Sequence, residues 1–278
     1  MIEEIHPFIL KHLDVNAIKP LHGGDISSVF LINDKTVLKL NRSDEFPGMF
    51  EREKQGLELL ARTFHTPEVI QIQSDANWQL LELSYIPPVI EPNEFWMDFG
   101  RQLALTHQQT TAQFGLDEDN YIGSLKQLNT RCEKWSDFLI QYRLQPMIEM
   151  AVNSGEVNYV EAKIIEYFYN RVEEIYPTEP PALIHGDLWS GNYLSGANGP
   201  VLIDPAVYYG NREMDIGMMH LFGGFNDLLF ESYHEIYPLE KTWKSRIQYN
   251  QLYPLLVHLN LFGRSYWKKL HTILKEFA

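Results

Sequence analysis

Apolar positions change their period several times along this chain, and each change marks an element. Near the start, Ile2, Ile5, Ile9 and Leu13 recur every three or four positions, which predicts a short amphipathic helix in a region that Pro20 closes. Two runs rich in β-branched and aromatic residues follow, Ser28-Val29-Phe30-Leu31-Ile32 and Thr36-Val37-Leu38-Lys39-Leu40. Joined by Asn33-Asp34-Lys35, they predict a β-hairpin. Just upstream, Gly23 and Gly24 place a glycine-bearing turn at its mouth. From Met49 to Phe64 the apolar residues Phe50, Leu57, Leu60 and Phe64 stand among charges, which predicts a helix, and Glu68 to Gln73 and Trp78 to Leu83 read as two further strands.

Pro87-Pro88 and Pro92 interrupt this pattern. Beyond them helical periodicity dominates from Phe95 to Phe114 and from Leu128 through Tyr176, so the expected division is a strand-rich unit, 1–86, and a mainly helical one, 87–278. Within the second unit, prolines at 177, 180 and 181 precede a short apolar strand, Ala182-Leu183-Ile184. A loop, His185 to Asn192, leads on towards a second strand, Val201-Leu202-Ile203, and Met214 to Ala278 reads as helical. No repeat or low-complexity tract is visible.

With 278 residues, 45% of them hydrophobic, the chain can bury a real core in one or two domains. Its formal charge of −14 repels phosphate backbones over a Debye length of about 8 Å at physiological salt, which argues against a nucleic-acid partner. Any anionic ligand then needs a local cation or a metal. The single cysteine, Cys132, excludes an intramolecular disulfide and a thiolate zinc cluster, and suits a reducing compartment such as the cytoplasm. The first residues carry acids where a signal peptide needs bases, and the strongest apolar stretch, Leu252 to Phe262, is broken by Pro254, His258 and Asn260; no membrane span is expected.

The densest cluster of reactive residue types is His185-Gly186-Asp187-Leu188-Trp189-Ser190-Gly191-Asn192, followed by Asp204. If the two short apolar strands form a small hairpin, Asp187, Asn192 and Asp204 converge at one edge of it. Phosphoryl transfer from ATP uses such a set: one carboxylate takes the hydroxyl proton, and an amide and a second carboxylate hold Mg2+ against the phosphates. Asp187 and Asn192 are five positions apart, the spacing of kinase catalytic loops. The plainer alternative is a turn in which Asp187 caps backbone amides.

Lys39 stands between Leu38 and Leu40, so strand alternation puts it on the opposite face, where it can neutralise phosphate charge; an exposed edge lysine is the alternative. The following helix offers Glu53 as its ion-pair partner, with Glu51 the rival. Gly23-Gly24 is a weak signal, and the P-loop pattern is absent. Ten histidines give no H-E-x-x-H pair, and Cys132 lies in a charged helical segment rather than a nucleophile context. His107, on a predicted helix, reads as structural.

Taken together, Gly23-Gly24-Asp25-Ile26, the stretch Asp119 to Ser124, Arg143-Leu144, the stretch His185 to Asn192 and the stretch Asp204 to Ile216 resemble the fructosamine kinase (ketosamine kinase) family nearly end to end. The H-G-D core alone is shared with aminoglycoside, choline and homoserine kinases. The resemblance implies an α+β, bilobal, protein-kinase-like fold with a small antiparallel sheet in the first lobe and a mainly helical second lobe. It makes Asp187 the catalytic base, Asn192 and Asp204 the Mg2+ ligands, and Lys39 with Glu53 the pair that positions ATP phosphates. Leu83, Ser84, Tyr85 and Ile86 become the hinge facing adenine. Trp189, Asn120 and Tyr121 are expected at the sugar pocket, while His185 and Asp215 are structural.

The implied reaction is phosphorylation of the C3 hydroxyl of a ketosamine, free or on a glycated protein, leading to deglycation. Gly186 replaces the arginine that reads an activation-loop phosphate in many protein kinases, so no such switch is expected. Three other readings stand beside this one: a kinase of another small alcohol, a silent nucleotide-binding module, and a metal-dependent hydrolase built on His185, Asp187 and Asp204.

Overall fold

The computed structural model describes residues 6–21 and 26–278; Gly23 and Gly24, and the first turn expected around Ile2 and Ile5, lie outside the described residues. The chain begins with α1 (Pro7–His12) and β1 (Ile18–Pro20), then β2 (Ser28–Ile32), β3 (Thr36–Arg42), α2 (Met49–Leu60), β4 (Val69–Ser74) and β5 (Trp78–Ser84). These strands make one antiparallel sheet in the order β1-β2-β3-β5-β4. The predicted hairpin is present as β2 and β3, with Asn33 and Asp34 in the left-handed region at its turn, where these two residue types are tolerated best.

Alternation along β3 divides the sheet's two faces. Leu38 and Leu40 pack with Phe8, Ile9 and Leu80 on the α1 side. Val37 joins Phe50, Leu57, Leu81 and Leu83 on the α2 side. Lys39 shares the face of Val37, and therefore points toward α2.

The helical lobe starts with α3 (Asn93–His107). The helix stops at His107 rather than Phe114 because the chain turns to pair: Thr110 bridges Ala182 and Phe114 bridges Cys132. A hairpin of β6 (Asn120–Ile122) with β7 (Leu125–Gln127) follows. The long helical tract expected from Leu128 is shorter and broken: α4 (Trp135–Leu139) runs through a π-helical turn, Ile140–Leu144, into α5 (Gln145–Asn153), and Gly155 ends it at φ +81°. Short helices α6 to α8 follow (Tyr159–Ala162, Ile165–Tyr169, Val172–Ile175).

Next come β8 (Ala182–Ile184), β9 (Tyr193–Gly196), β10 (Gly199–Leu202) and β11 (Tyr208–Gly210). Here the sequence expectation is corrected. The strands at 182–184 and 199–202 do not form a hairpin with each other: β8 pairs with β11, and β10 with β9. The β8–β11 pair encloses the β9–β10 hairpin, and the two pairs are joined by Ile203 N–H donating to Asn192 O at 3.1 Å and Ala206 N–H donating to His185 O at 2.9 Å.

The remainder is helical as the pattern predicts: α9 (Glu213–Phe222), α10 (Asp227–Ile236), α11 (Trp243–Asn250), α12 (Leu252–Phe262) and α13 (Trp267–Leu274). Its core includes Phe138, Leu144, Phe168, Ile184, Tyr208 and Leu256. A second cluster, with Phe99, Leu103, Leu183, Leu188 and Leu202, sits beneath the loop that carries Asp187. No helix among the described residues is long and apolar enough to cross a membrane.

Candidate active site

On α2, Glu53 lies three residues after Phe50 and four before Leu57, on the stripe that buries against the sheet, whereas Glu51 is turned away from that stripe. Lys39 Nζ accordingly donates to Glu53 Oε1 at 2.6 Å, and it also pairs with Asp204 from the other lobe. Withdrawal from water pulls the Lys39 ammonium down, and the adjacent Asp204 and Glu53 carboxylates outweigh this, so its pKa is raised. Lys39 is a permanent cation joining the two lobes.

The loop after β8 is held by one carboxylate. Asp215, at the start of α9, accepts the backbone N–H of His185 at 2.7 Å and that of Gly186 at 2.9 Å. Gly186 sits at φ +83°, and a Cβ there would lie 2.1 Å from Ala206 O, so only glycine lets the loop close on the segment after Asp204. His185 Nε2 donates to Ile203 O at 2.9 Å while Nδ1 accepts the Asp187 N–H at 3.3 Å. Burial lowers the pKa of this ring, so it stays neutral with its proton on Nε2.

Behind Asp215, His107 Nε2 lies 3.2 Å from Oδ2, and its Nδ1 lies 2.9 Å from the Tyr233 hydroxyl, which in turn accepts from Arg212. Burial raises the Asp215 carboxyl, but hydrogen bonding to His107 and the nearby imidazoles prevail and hold it below the usual carboxylate range. His185, Asp215 and His107, expected to be structural, thus form a hydrogen-bonded chain within and behind the loop that carries Asp187.

Asn192 Nδ2 donates to Asp187 O at 2.8 Å and to Asp187 Oδ2 at 3.0 Å, which fixes the carboxylate and leaves the amide Oδ1 as an oxygen donor. Withdrawal from water pushes the Asp187 carboxyl up to about 7, with the charges of Asp204 and Asp215 acting the same way against the Asn192 bond. Asp204 follows β10 with φ +55°, a left-handed residue whose turn swings its side chain toward Lys39.

Lys39, Glu53, Asp187, Asn192 and Asp204 line one cavity of about 560 Å³ between the lobes. Two oxygen-bearing side chains, Asn192 and Asp204, with room for phosphate and water oxygens, suit magnesium, which rarely takes an all-protein shell. No cluster of three His, Cys, Asp or Glu fit to hold a metal occurs among the described residues. The donor set fits a metal that arrives with a phosphate ligand.

The remaining expected residues divide. Trp189 lines the cavity, its indole lying on Gly191 so closely that a Cβ there would be 2.3 Å from ring atoms. Tyr121 also lines it, with its hydroxyl donating to Pro47 O at 3.1 Å. Asn120 is on the wall but its amide is committed: Nδ2 donates to Val207 O at 2.8 Å, and Oδ1 accepts from Gln127 and Asn129. Leu83 and Ser84 end β5 and Tyr85 and Ile86 follow it, with Ser84 N–H bonded to Glu68 O and Tyr85 N–H to Lys35 O, and none of the four lines this cavity.

Sequence reasoning missed the opposite wall, which α12 supplies through Val257, His258, Leu261 and Phe262. The signal for it was His258, one of the polar interruptions of this apolar stretch. Also missed was the network behind β6 and β7, in which buried Arg143 donates to Asn129 Oδ1 at 2.7 Å and stacks on Tyr208, while Tyr253 OH donates to Gln127 Oε1 at 2.8 Å.

A two-lobed arrangement with a lysine–glutamate pair above a cleft and an Asp-Asn-Asp set below it is that of the protein-kinase-like fold. Residues 1–278 match the fructosamine kinase family, and the chain belongs to it. A probable ketoamine kinase of Enterococcus faecium is 37% identical over 276 residues, covering 97% of this chain and 98% of the relative. The crystal structure of a fructosamine-3-kinase candidate from Thermobifida fusca is 33% identical, with a TM-score of 0.83 over 94% of this chain and 93% of that one. An ADP-bound aminoglycoside phosphotransferase, at 16% identity and a TM-score of 0.63 over 96% of this chain and 94% of its own, shares the fold.

Proposed function

We propose that this chain is an ATP-dependent kinase of amine-linked ketoses, transferring the γ-phosphoryl group to the C3 hydroxyl of the sugar. The observation that carries the reading is the convergence of Lys39, Asp187, Asn192 and Asp204 on one interlobe cavity. Family membership supplies the acceptor class. The strand-rich unit, 1–86, covers the nucleotide, with the Leu83 to Ile86 segment as its hinge to the helical unit, 87–278, which holds the acceptor.

In this mechanism the acceptor oxygen attacks the γ-phosphorus in line with the bond to the ADP oxygen, which breaks as the new bond forms. The hydroxyl proton passes to Asp187, whose carboxylate Asn192 has already aimed. Lys39, fixed by Glu53, would face the phosphate oxygens, and Asn192 Oδ1 with the Asp204 carboxylate would hold Mg2+. Bound there, the metal offsets charge on the transferring group. The resulting ketosamine 3-phosphate is unstable and sheds the sugar, so the product is a freed amine; this assigns the chain to deglycation of small amines or glycated proteins in the cytoplasm.

The test is ATP consumption over a panel of fructosamines and ribulosamines, with Asp187→Asn as the blank. Aminoglycosides, choline and homoserine form the control arm. Turnover confined to that arm, or ATP-independent hydrolysis, overturns the assignment.

A further inference from the structure

The cavity continues outward onto exposed aromatic surface. Three of the large apolar side chains that remain exposed, Trp189 at 40%, Phe222 at 43% and Phe262 at 51%, stand side by side at its mouth. Trp189 and Phe222 meet edge to face with ring centroids 6.2 Å apart, Phe222 lies 5.0 Å from His258, and His258 lies 5.4 Å from Phe262 and 5.2 Å from Tyr266. These rings come from three separate parts of the helical lobe: the catalytic loop, the end of α9, and α12 with the turn that follows it.

The surface is fixed rather than loose. The Trp189 indole rests on Gly191, and the turn after α9 packs onto the same loop so closely that a Cβ at Gly224 would lie 2.7 Å from Ser190 Cβ. His258 Nδ1 is 2.7 Å from Pro254 O, so that nitrogen donates, the ring is oriented, and Nε2 is left as an acceptor. Partial burial lowers its pKa, consistent with a neutral ring.

Charge in the adjoining cavity has one sign to spare. Among the described lining residues the cations are Lys39 and Arg52, and each is already paired, Lys39 with Glu53 and Asp204, Arg52 with Glu118. Asp187 remains without a cationic partner among those lining groups, while Glu45 at the cavity edge lies 3.8 Å from Arg42. An entering ammonium group is favoured there, and the faces of Trp189, Phe222 and Phe262 favour it again through cation–π attraction as well as apolar contact.

The geometry points to a binding subsite, beyond the sugar pocket, in which Phe222, Phe262 and Trp189 hold the amine-bearing part of the acceptor, and selects ketoses linked to amines with an apolar or aromatic carbon skeleton. This inference rests on the ketosamine kinase reading, since it assigns the part of that acceptor lying outside the cavity. With the reacting hydroxyl at Asp187, the amine end of the same molecule passes Trp189, two residues further along the loop, and reaches Phe222 and Phe262. An amine with a small polar skeleton leaves the two phenylalanines uncovered.

The experiment compares ribulose linked to benzylamine with ribulose linked to glycine, in the wild type and in Phe222→Ala and Phe262→Ala. Both side chains are exposed at the rim, and Phe222→Leu and Phe262→Leu serve as variants that keep apolar volume without an aromatic face. For the benzylamine-linked acceptor each alanine variant is expected to raise KM by about three- to tenfold with kcat retained, the size of one lost aromatic contact. In Phe222→Ala, whose side chain lies outside the cavity lining, turnover of the glycine-linked acceptor and the KM for ATP stay unchanged, and in Phe262→Ala the benzylamine-linked acceptor loses more than the glycine-linked one. Equal losses on both acceptors, or no change on either, overturn the subsite. A calorimetric titration with benzylammonium decides it separately from turnover. Binding by the wild type that weakens in both alanine variants supports the subsite even if no ketosamine is phosphorylated, an outcome that sinks the kinase reading alone. Benzylammonium binding that is absent, or indifferent to both substitutions, overturns it.

Discussion

Asp215 Oδ2 accepts the backbone N–H of His185 at 2.7 Å although thirty positions separate the two residues. That contact, with the Gly186 N–H on Oδ1, ties the loop carrying Asp187 to the first turn of α9. The carboxylate touches the loop's backbone and is turned away from the cavity, so its effect on chemistry passes through the position of Asp187. Because the pKa of Asp215 is lowered on folding, the stability it contributes is fully present above its unfolded value, about 3.9, and is lost as pH falls through the lower folded value. Asp215→Asn should therefore be clearly less stable than the wild type in urea at pH 7, and the gap should narrow below about pH 4. A gap independent of pH would show that the carboxylate charge is irrelevant.

Asp187→Asn tests the proton acceptor. The amide keeps the size of the side chain and loses the base, so kcat should fall by about 10²- to 10⁴-fold, or roughly 3–5 kcal/mol of barrier. The ATP dissociation constant, measured by nucleotide titration, should stay within about threefold of the wild type. Near-normal turnover would remove Asp187 from its role.

Asp204→Asn has a different signature. Asp204 faces Lys39 and shares the cavity with Asn192, so its loss should weaken the magnesium–ATP complex, and raising the magnesium concentration should partly restore activity. The same titration should not rescue Asp187→Asn. Identical magnesium curves for the two variants would erase the distinction drawn between base and metal ligand.

Tyr253→Phe probes the support of the acceptor wall. The Tyr253 hydroxyl donates to Gln127, which donates in turn to Asn120 Oδ1 at 2.8 Å and to Ala206 O at 3.0 Å, tying β6 and β7 to the segment after Asp204. Removing one buried hydroxyl should cost about 1 kcal/mol of stability. Acceptor KM should rise with ATP KM unchanged. A change in ATP KM alone would show that the network serves the other lobe.

Much of this site was legible in one dimension. The Asp187–Asn192 spacing, the strand that exposes Lys39 on the face opposite Leu38 and Leu40, and the helix bearing Glu53 all follow from short-range pattern. The preference for Glu53 over Glu51 is also legible in the sequence, and the stripe of Phe50 and Leu57 packed on the sheet gives its physical reason. The pairing of β8 with β11, where a hairpin with the segment at 201–203 was expected, was not legible, because short apolar strands carry no mark of their partner.

The sequence by itself determined the local conformations and the reactive groups, since strand alternation, helical period and the turn preferences of Gly and Asp act over a few residues. Only the tertiary structure decided which distant groups meet. His107 reaches Asp215 across 108 positions and Tyr253 reaches Gln127 across 126, and α12 closes a cavity whose chemistry lies on other elements. Such contacts are selected by burial of whole faces against one another, and burial of that kind leaves no periodicity at the residues it brings together.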